Sequence, residues 1–431
     1  MKHMLLLSNR PAVGSNATTI LDHLNAIHRM PGFRVWEVSM VGDFPSTIDL
    51  SKFDAIGIHY TLHLSDERNH FFSEVSIDSV SKFQGTKCTW MHDEYRNVDA
   101  TLERLRRLKV DTVFSVVPDS IVKDIYAEEK LPATSVETVL TGYVDNGLKD
   151  QNWPPYSERK IDVGYRARPT PFWLGSLAQE KTTIGKRFAE ESQGSGLALD
   201  ISTDEEDRLY GRRWIKFLRN TKAMLCVESG ASIFDFDGSI EQQVDRFVRR
   251  NPDASFEDVD HIVGEADRKF VANCLSPKIF EAAACGTLIV AYPGEYSKVL
   301  TPWVHYVPLE KDFSNLSEVI SYVKDSELAT PIIQRAYDDL VASGDYCYDQ
   351  FAAFCAGKLP DRVARVGTYT AMSFWIDAHR SPSYIIRNYI AYGLQKILLS
   401  QQLRKKLLRV WFSLPEGVQK VVRPAFKIIG R

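Results

Sequence analysis

An α/β chain with two Rossmann-like parallel-sheet units in tandem is the architecture the sequence predicts, on three observations. Short apolar runs alternate with longer segments of helical pattern, the order expected of βαβ units. The alternation occurs twice, on either side of a polar stretch, DNGLKDQNWPPYSERK (145–160), which holds Pro154 and Pro155 and shows neither periodicity. At 431 residues the chain also exceeds what one hydrophobic core usually organises.

In the first alternation, strands are expected at 4–8, 33–39, 55–60, 87–92 and 111–117, with helical stretches at 18–30 and 99–109 between them. In the second, strands are expected at 160–166, 197–202, 223–229, 287–292 and 304–309, with a helix at 207–220 and a helical insertion at 239–272. The units are therefore drawn as an amino-terminal domain over 1–150, a carboxyl-terminal domain over 158–330, closing helices over 331–358 and a helical tail over 359–431. Within that tail, residues 401–431 set Arg404, Lys405, Lys406, Arg409, Lys420, Arg423, Lys427 and Arg431 against one acid, Glu416, with Leu403, Leu407, Trp411 and Phe412 interleaved. Such a basic amphipathic pattern suits an anionic membrane surface.

Composition narrows the function classes. Hydrophobic residues make up 44% and charged residues 25%, as in an ordinary soluble protein. A formal net charge of -3 offers no global attraction to nucleic acid, which is not expected as a partner. The six cysteines are scattered, without a CxxC pair or a histidine cluster at zinc spacing, so they read as buried thiols of a reducing compartment and no metal is expected. The first residues, MKHMLLLSNRP, are too short an apolar run for a secretory signal, and no stretch approaches the length of a spanning helix. A cytoplasmic protein, peripheral on the inner face of the plasma membrane through its tail, is the expectation.

The stretch SPKIFEAAACGTLIVAYPG (276–294) carries the strongest chemical signal. Pro277 opens a helix, Gly286 ends it, and a buried strand follows. Loops entering such helices face the crevice at the carboxyl ends of the strands, where free amide groups favour phosphate. Ser276 and Lys278 stand at that entrance, and Glu281, one turn further in, is placed either to accept hydrogen bonds from sugar or ribose hydroxyls or to be an ordinary first-turn carboxylate.

Lys278, Phe280 and the string from Glu281 to Gly286 resemble the carboxyl-domain signature of GT-B glycosyltransferases, in particular the spore-maturation-type branch, whose motif reads basic-x-Phe-Glu-Ala-x-Ala-Cys-Gly. The tandem α/β layout is similar over residues 1 to 358. The resemblance implies a nucleotide-sugar co-substrate (a UDP-, GDP- or dTDP-sugar), no permanently bound cofactor, and Glu281 on the nucleotide ribose. Related retaining enzymes carry a second Glu ahead of this one; the corresponding position is read as Cys274, so that acid is missing. Glu228 and Asp235, in the polar loop VESGASIFDFDGSI (227–240), are the candidate substitutes toward the donor sugar.

A departing nucleoside diphosphate needs cations. Arg166 and Arg168 at the end of the first carboxyl-domain strand are the preferred donor-binding candidates, followed by Lys181 and Lys186. In the amino domain, MHDEYR (91–96) bunches titratable groups at a strand end: Asp93 or Glu94 is the candidate general base, His92 its alternative, and Arg96, with His59 and Tyr60 one strand over, lines the acceptor side. The glycine loop at Gly14 is a weak phosphate cradle. The expected activity is transfer of a sugar from a nucleotide-sugar to a glycan or glycolipid acceptor, lipid-linked or polysaccharide, of the bacterial envelope. Its rivals are a nucleotide-sugar epimerase on the same fold and a non-catalytic nucleotide-sugar-binding scaffold. No GxGxxG follows any expected strand, which disfavours a dehydrogenase.

Overall fold

The computed structural model describes residues 1–11, 18–66, 70–151 and 153–380. Six parallel strands form the amino sheet: β1 (Lys2–Ser8), β2 (Phe33–Ser39), β3 (Ala55–Ile58), β4 (Thr86–Trp90), β5 (Thr112–Ser115) and β6 (Ser135–Thr138), in the order β2-β1-β3-β4-β5-β6. Between them run α1 (Thr18–His28), α2 (Glu74–Ser81), α3 (Val98–Leu108) and α4 (Val122–Ile125). The carboxyl half contributes β7 (Ile161–Arg166), β8 (Leu199–Ser202), β9 (Thr221–Cys226), β10 (Ser229–Ala231), β11 (Ala272–Cys274), β12 (Leu288–Ala291) and β13 (Val307–Pro308). Five of these make a second parallel sheet, β13-β12-β9-β7-β8, while β10 and β11 pair as a separate antiparallel ribbon. Its helices are α5 (Ser176–Glu191), α6 (Arg212–Arg219), α7 (Ser239–Arg250), α8 (Asp260–Val263), α9 (Lys278–Ala284), α10 (Leu316–Lys324) and α11 (Ser326–Tyr337); α12 (Tyr348–Lys358) and α13 (Ala371–His379) follow.

Both sheets are buried on two faces, as the unbroken apolar runs require. Met4 to Leu7 in β1 and Leu288 to Ala291 in β12 are fully or almost fully buried. Each sheet also reverses its strand order once, between β1 and β3 and between β7 and β9, and the loops leaving such reversals line a crevice. The strand expected at 223–229 divides: β9 ends at Cys226, and the chain turns into the ribbon at Gly230, whose φ of +114° and a Cβ position 1.7 Å from the Ala272 carbonyl oxygen admit only glycine. Edge strand β6 has no counterpart in the sequence expectation, and the strand expected at 304–309 shrinks to β13.

The chain returns to the amino half after the carboxyl sheet. Helix α12 lays Tyr348, Phe351, Ala352 and Cys355 against Met4, Leu6, Leu24, Cys88 and Trp90, and burying Phe351 alone contributes on the order of 1.5–3 kcal/mol. Residues 359–380 continue on the same half: Tyr369, Phe374 and Ala378 join the cluster around Trp36 and Phe53, and Arg365 pairs with the buried Asp54 at 3.2 Å. Within this stretch Leu359, Tyr369, Phe374 and Ala378 thus pack on the amino half, which corrects the tail expectation for them, while Val363, Val366, Met372 and Trp375 stay exposed. The basic segment 401–431 lies outside the described residues, as does Gly14. Among the described residues, no helix is long and apolar enough to cross a membrane.

A second junction ties the halves near the crevice. The loop after β4 and the loop after β10 exchange main-chain hydrogen bonds: Asp235 N–H to Tyr95 O at 2.8 Å, Val98 N–H to Asp235 O at 3.2 Å and Asp99 N–H to Phe236 O at 3.0 Å.

Candidate functional site

Helix α9 builds the carboxyl side. Pro277 stands at its N-cap, three alanines of high helix propensity fill its last turn, and Gly286 ends it at φ +62°, where a Cβ would meet the Trp153 ring at 2.3 Å. Ile279, Phe280 and Ala282 to Ala284 are buried, which leaves Lys278 and Glu281, three residues apart, on the remaining face. Lys278 Nζ donates to the Arg166 carbonyl at 2.6 Å, and Trp214 Nε1 donates to Glu281 Oε2 at 2.7 Å. Burial pushes the Glu281 carboxyl up to about 7 against the opposing pull of Trp214 and Lys278. Asp22 on α1, in the amino half, adds to that rise across the crevice, and its own carboxyl is pushed up to about 6, chiefly by burial.

Two cations join Lys278. Lys181 on α5 donates to Ser229 Oγ at 3.1 Å, and burial, with Lys278 next, brings its ammonium down to about 8, while Asp93 opposes that fall. Arg168 is exposed and makes no hydrogen bond or ion pair among the described residues, yet its charge reaches Lys181, Lys278 and Tyr95. Ser276 lies half-buried just before α9.

On the amino side, Asp93 follows β4 in the left-handed region at φ +56°, exposed, accepting from Tyr95 Oη at 2.7 Å with His92 Nδ1 at 3.2 Å. Burial disfavours the charge on His92, but the hydrogen bond and charge of Asp93 outweigh it and raise its pKa. The Tyr60 ring lies 5.2 Å from that of His92. The charges of Lys278, from the carboxyl half, and Asp93, from the amino half, both act on Lys181.

Several expected site residues are spent elsewhere. Glu94 is buried, accepting from Ser115 Oγ at 2.6 Å, Val116 N–H at 2.9 Å and Tyr126 Oη, so it anchors the end of β5 and is no longer available as a base. His59 is fully buried between His23 Nδ1 and Thr61 Oγ1, each at 3.0 Å, and belongs to the core beneath Tyr60. Arg96 forms a two-pronged ion pair with Glu241 of α7 and clamps the halves rather than an acceptor. Asp235, 1% exposed, accepts from the first amides of α7, Glu241 N–H at 2.8 Å and Ile240 N–H at 3.4 Å, and is a helix cap. Arg166 is consumed by the Asp200 carboxylate at 2.6 Å and the carbonyls of Asp200, Tyr165 and Asp207. Glu228 accepts from Tyr296 N–H at 2.8 Å and packs on Gly294, bracing the turn after β12.

The missing acid also shifts by one position. Seven spacer residues before Glu281 end at Asn273, not at Cys274, so the register is corrected while the absence of a carboxylate stands. Cys274 faces the amino half, its thiol donating to the Val116 carbonyl at 3.1 Å, and Asn273 alternates to the other face of the ribbon. The sequence offered no signal for Asp22 or Trp214: one is a polar position of an ordinary amphipathic helix, the other the aromatic of a basic one. Among the described residues, no group of three or more His, Cys, Asp or Glu side chains is arranged to hold a metal ion.

No protein-family model matches the chain, and no curated protein is similar to it at the level of sequence. Solved structures are loosely similar in shape. An alpha-glucosyltransferase in complex with UDP-glucose and DNA containing an abasic site superposes with a TM-score of 0.45 at 14% identity, over 83% of this chain and 100% of that one. Anabaena Alr3699/HepE in complex with UDP-glucose does so with a TM-score of 0.47 at 12% identity, over 83% and 100%. Superpositions this loose carry no argument about what the chain does. One expectation is corrected: nucleic acid is not set aside as a partner, since the alpha-glucosyltransferase among these structures is seen in complex with DNA.

Proposed function

We propose that the chain is a glycosyltransferase that takes a nucleotide-sugar on its carboxyl half and an acceptor hydroxyl on its amino half. The observation that carries this reading is that Lys181 lies within reach of Lys278 and Arg168 from the carboxyl half and of Asp93 from the amino half, with Glu281 beside Lys278 on α9. In this reading Glu281 accepts hydrogen bonds from the nucleotide ribose. Lys278, Lys181 and Arg168 face the diphosphate, where preorganised cations stabilise the charge that develops on the leaving group.

Asp93 is the general base, oriented by Tyr95 and lying beside His92. The bond from the sugar's anomeric carbon to the diphosphate oxygen breaks, a bond from that carbon to the acceptor oxygen forms, and the acceptor proton passes to Asp93. The acceptor of this reading is a glycan or glycolipid, the lipid-linked or polysaccharide hydroxyl of envelope synthesis, and DNA belongs in the same acceptor assay.

The test is thermal shift and calorimetry against UDP-, GDP- and dTDP-sugars, since a ligand that binds only the native state raises its apparent stability. One of them is expected to bind the wild type, and Glu281→Ala is expected to weaken it about 10- to 100-fold, the worth of charge-assisted hydrogen bonds. Absence of any binding, or equal binding to the variant, would overturn the assignment.

A further inference from the structure

We propose that Trp214 is the positioning residue of this site, holding the Glu281 carboxylate and the Lys278 ammonium in register for the nucleotide. The inference rests on the donor reading above and adds a residue from another element. Helix α6 reads RRWIKFLR, and its apolar positions Trp214, Phe217 and Leu218, at i, i+3 and i+4, are buried while the basic residues between them stay nearer solvent. Trp214, 7% exposed, stacks on Phe217 with centroids 5.5 Å apart and planes at 22°. From that ledge the indole N–H reaches Glu281 Oε2 at 2.7 Å, and its ring lies 5.6 Å from Lys278 Nζ. Arg166 covers Phe217 at 4.7 Å, which fixes the other end of the stack. One indole therefore touches both charged residues that α9 exposes, and it leaves Oε1 of Glu281 for a ligand.

An indole N–H can only donate, so it favours the ionised carboxyl. The groups facing Glu281 divide by sign. Burial raises its pKa and Asp22 of α1 adds to the rise; the Trp214 bond and Lys278 of α9 lower it. Tyr348 of α12 and Cys285 after α9 also face it, both with pKa values raised by burial and so uncharged near neutrality. Removing the indole bond leaves the carboxyl protonated at higher pH, and a protonated carboxyl accepts ribose hydroxyls without the charge that strengthens those bonds.

Phenylalanine keeps the stack and loses the donor. Trp214→Phe is thus expected to weaken binding of the nucleoside diphosphate about 3- to 10-fold at neutral pH, with the loss closing as pH rises toward about 9. Calorimetry of UDP, GDP and dTDP with wild type, Trp214→Phe and Glu281→Gln measures it. A loss independent of pH, or no loss, would overturn the positioning role. A second readout needs no nucleotide: in 15N-tryptophan-labelled full-length protein, the indole resonance absent from Trp214→Phe is expected to titrate near neutral pH, and to stop titrating in Glu281→Gln. An indole that ignores pH overturns the pairing. One that titrates while no nucleotide binds leaves the pairing standing and overturns the donor reading.

Discussion

At the end of β4, His92, Asp93, Glu94 and Arg96 crowd together, yet Glu94 and Arg96 are absorbed by β5 and α7. On α9 the charged residues are fewer, and Lys278 and Glu281 share its unburied face, each held by one hydrogen bond, of a carbonyl and of an indole, with the indole ring beside Lys278 as well. The two regions differ in what surrounds them. The amino cluster sits where two loops from opposite halves bond to each other, so its side chains have neighbours that need anchoring. Helix α9 is packed through small alanines, which fill the core without asking anything of its polar face. A dense group of ionisable residues can thus be spent on its own surroundings, whereas a sparse pair on a helix packed through alanines need not be.

The contrast can be broken most decisively at the paired residues 93 and 94. Asp93→Asn preserves the left-handed backbone, which asparagine tolerates, and is expected to lower kcat about 100- to 10,000-fold with an unchanged melting curve. Glu281→Gln should weaken donor binding about 10-fold yet stabilise the free protein. A carboxyl whose folded pKa is raised to about 7 contributes stability that is full below its unfolded value and lost as pH rises through the folded one. The variant should thus gain about 1–3 kcal/mol at alkaline pH, discounted for the open edge of the group, and nothing near pH 4; urea melts at the two pH values decide it.

Glu94→Gln is expected to cost about 1–3 kcal/mol of stability while each folded molecule keeps its turnover, seen by denaturation and by activity per active site. Turnover lost in a fully folded Glu94→Gln would return the base to that residue. Smallest is Arg96→Met, expected to cost about 1–2 kcal/mol and to split one urea transition into two as the halves uncouple.

Much of this was legible in the residues. The parallel sheets were readable because their strands are continuous apolar runs, as in MLLL and LIVA, while β6, reading SVET at an edge, has no such run. In the site, Glu281, Lys278, Arg168 and Asp93 stand out through their place beside glycine, proline or strand ends. Glu94, His59, Arg166 and Asp235 carry the same local signals, and only partners such as Ser115, His23, Asp200 and Ile240, 5 to 36 positions away in sequence, show that they are already engaged. Trp214 and Asp22 were invisible for the converse reason: their roles exist only across elements.

The return of α12 to the amino half sets an order on synthesis. Met4, Leu6, Cys88 and Trp90 share their cover between Leu24, Ala26 and Ile27 of α1 and the residues of α12, and the second part is missing until Phe351 and Cys355 have been made. At ribosomal speeds of about 5–20 residues per second, the stretch from β6 to α12 takes roughly 10–40 s. For that interval a nascent chain carries an apolar sheet face that is complete but only partly capped. A carboxyl-terminal truncation anywhere before residue 348 would make that interval permanent, so the expected product of such a gene is an aggregate or a chaperone substrate, never a working amino half.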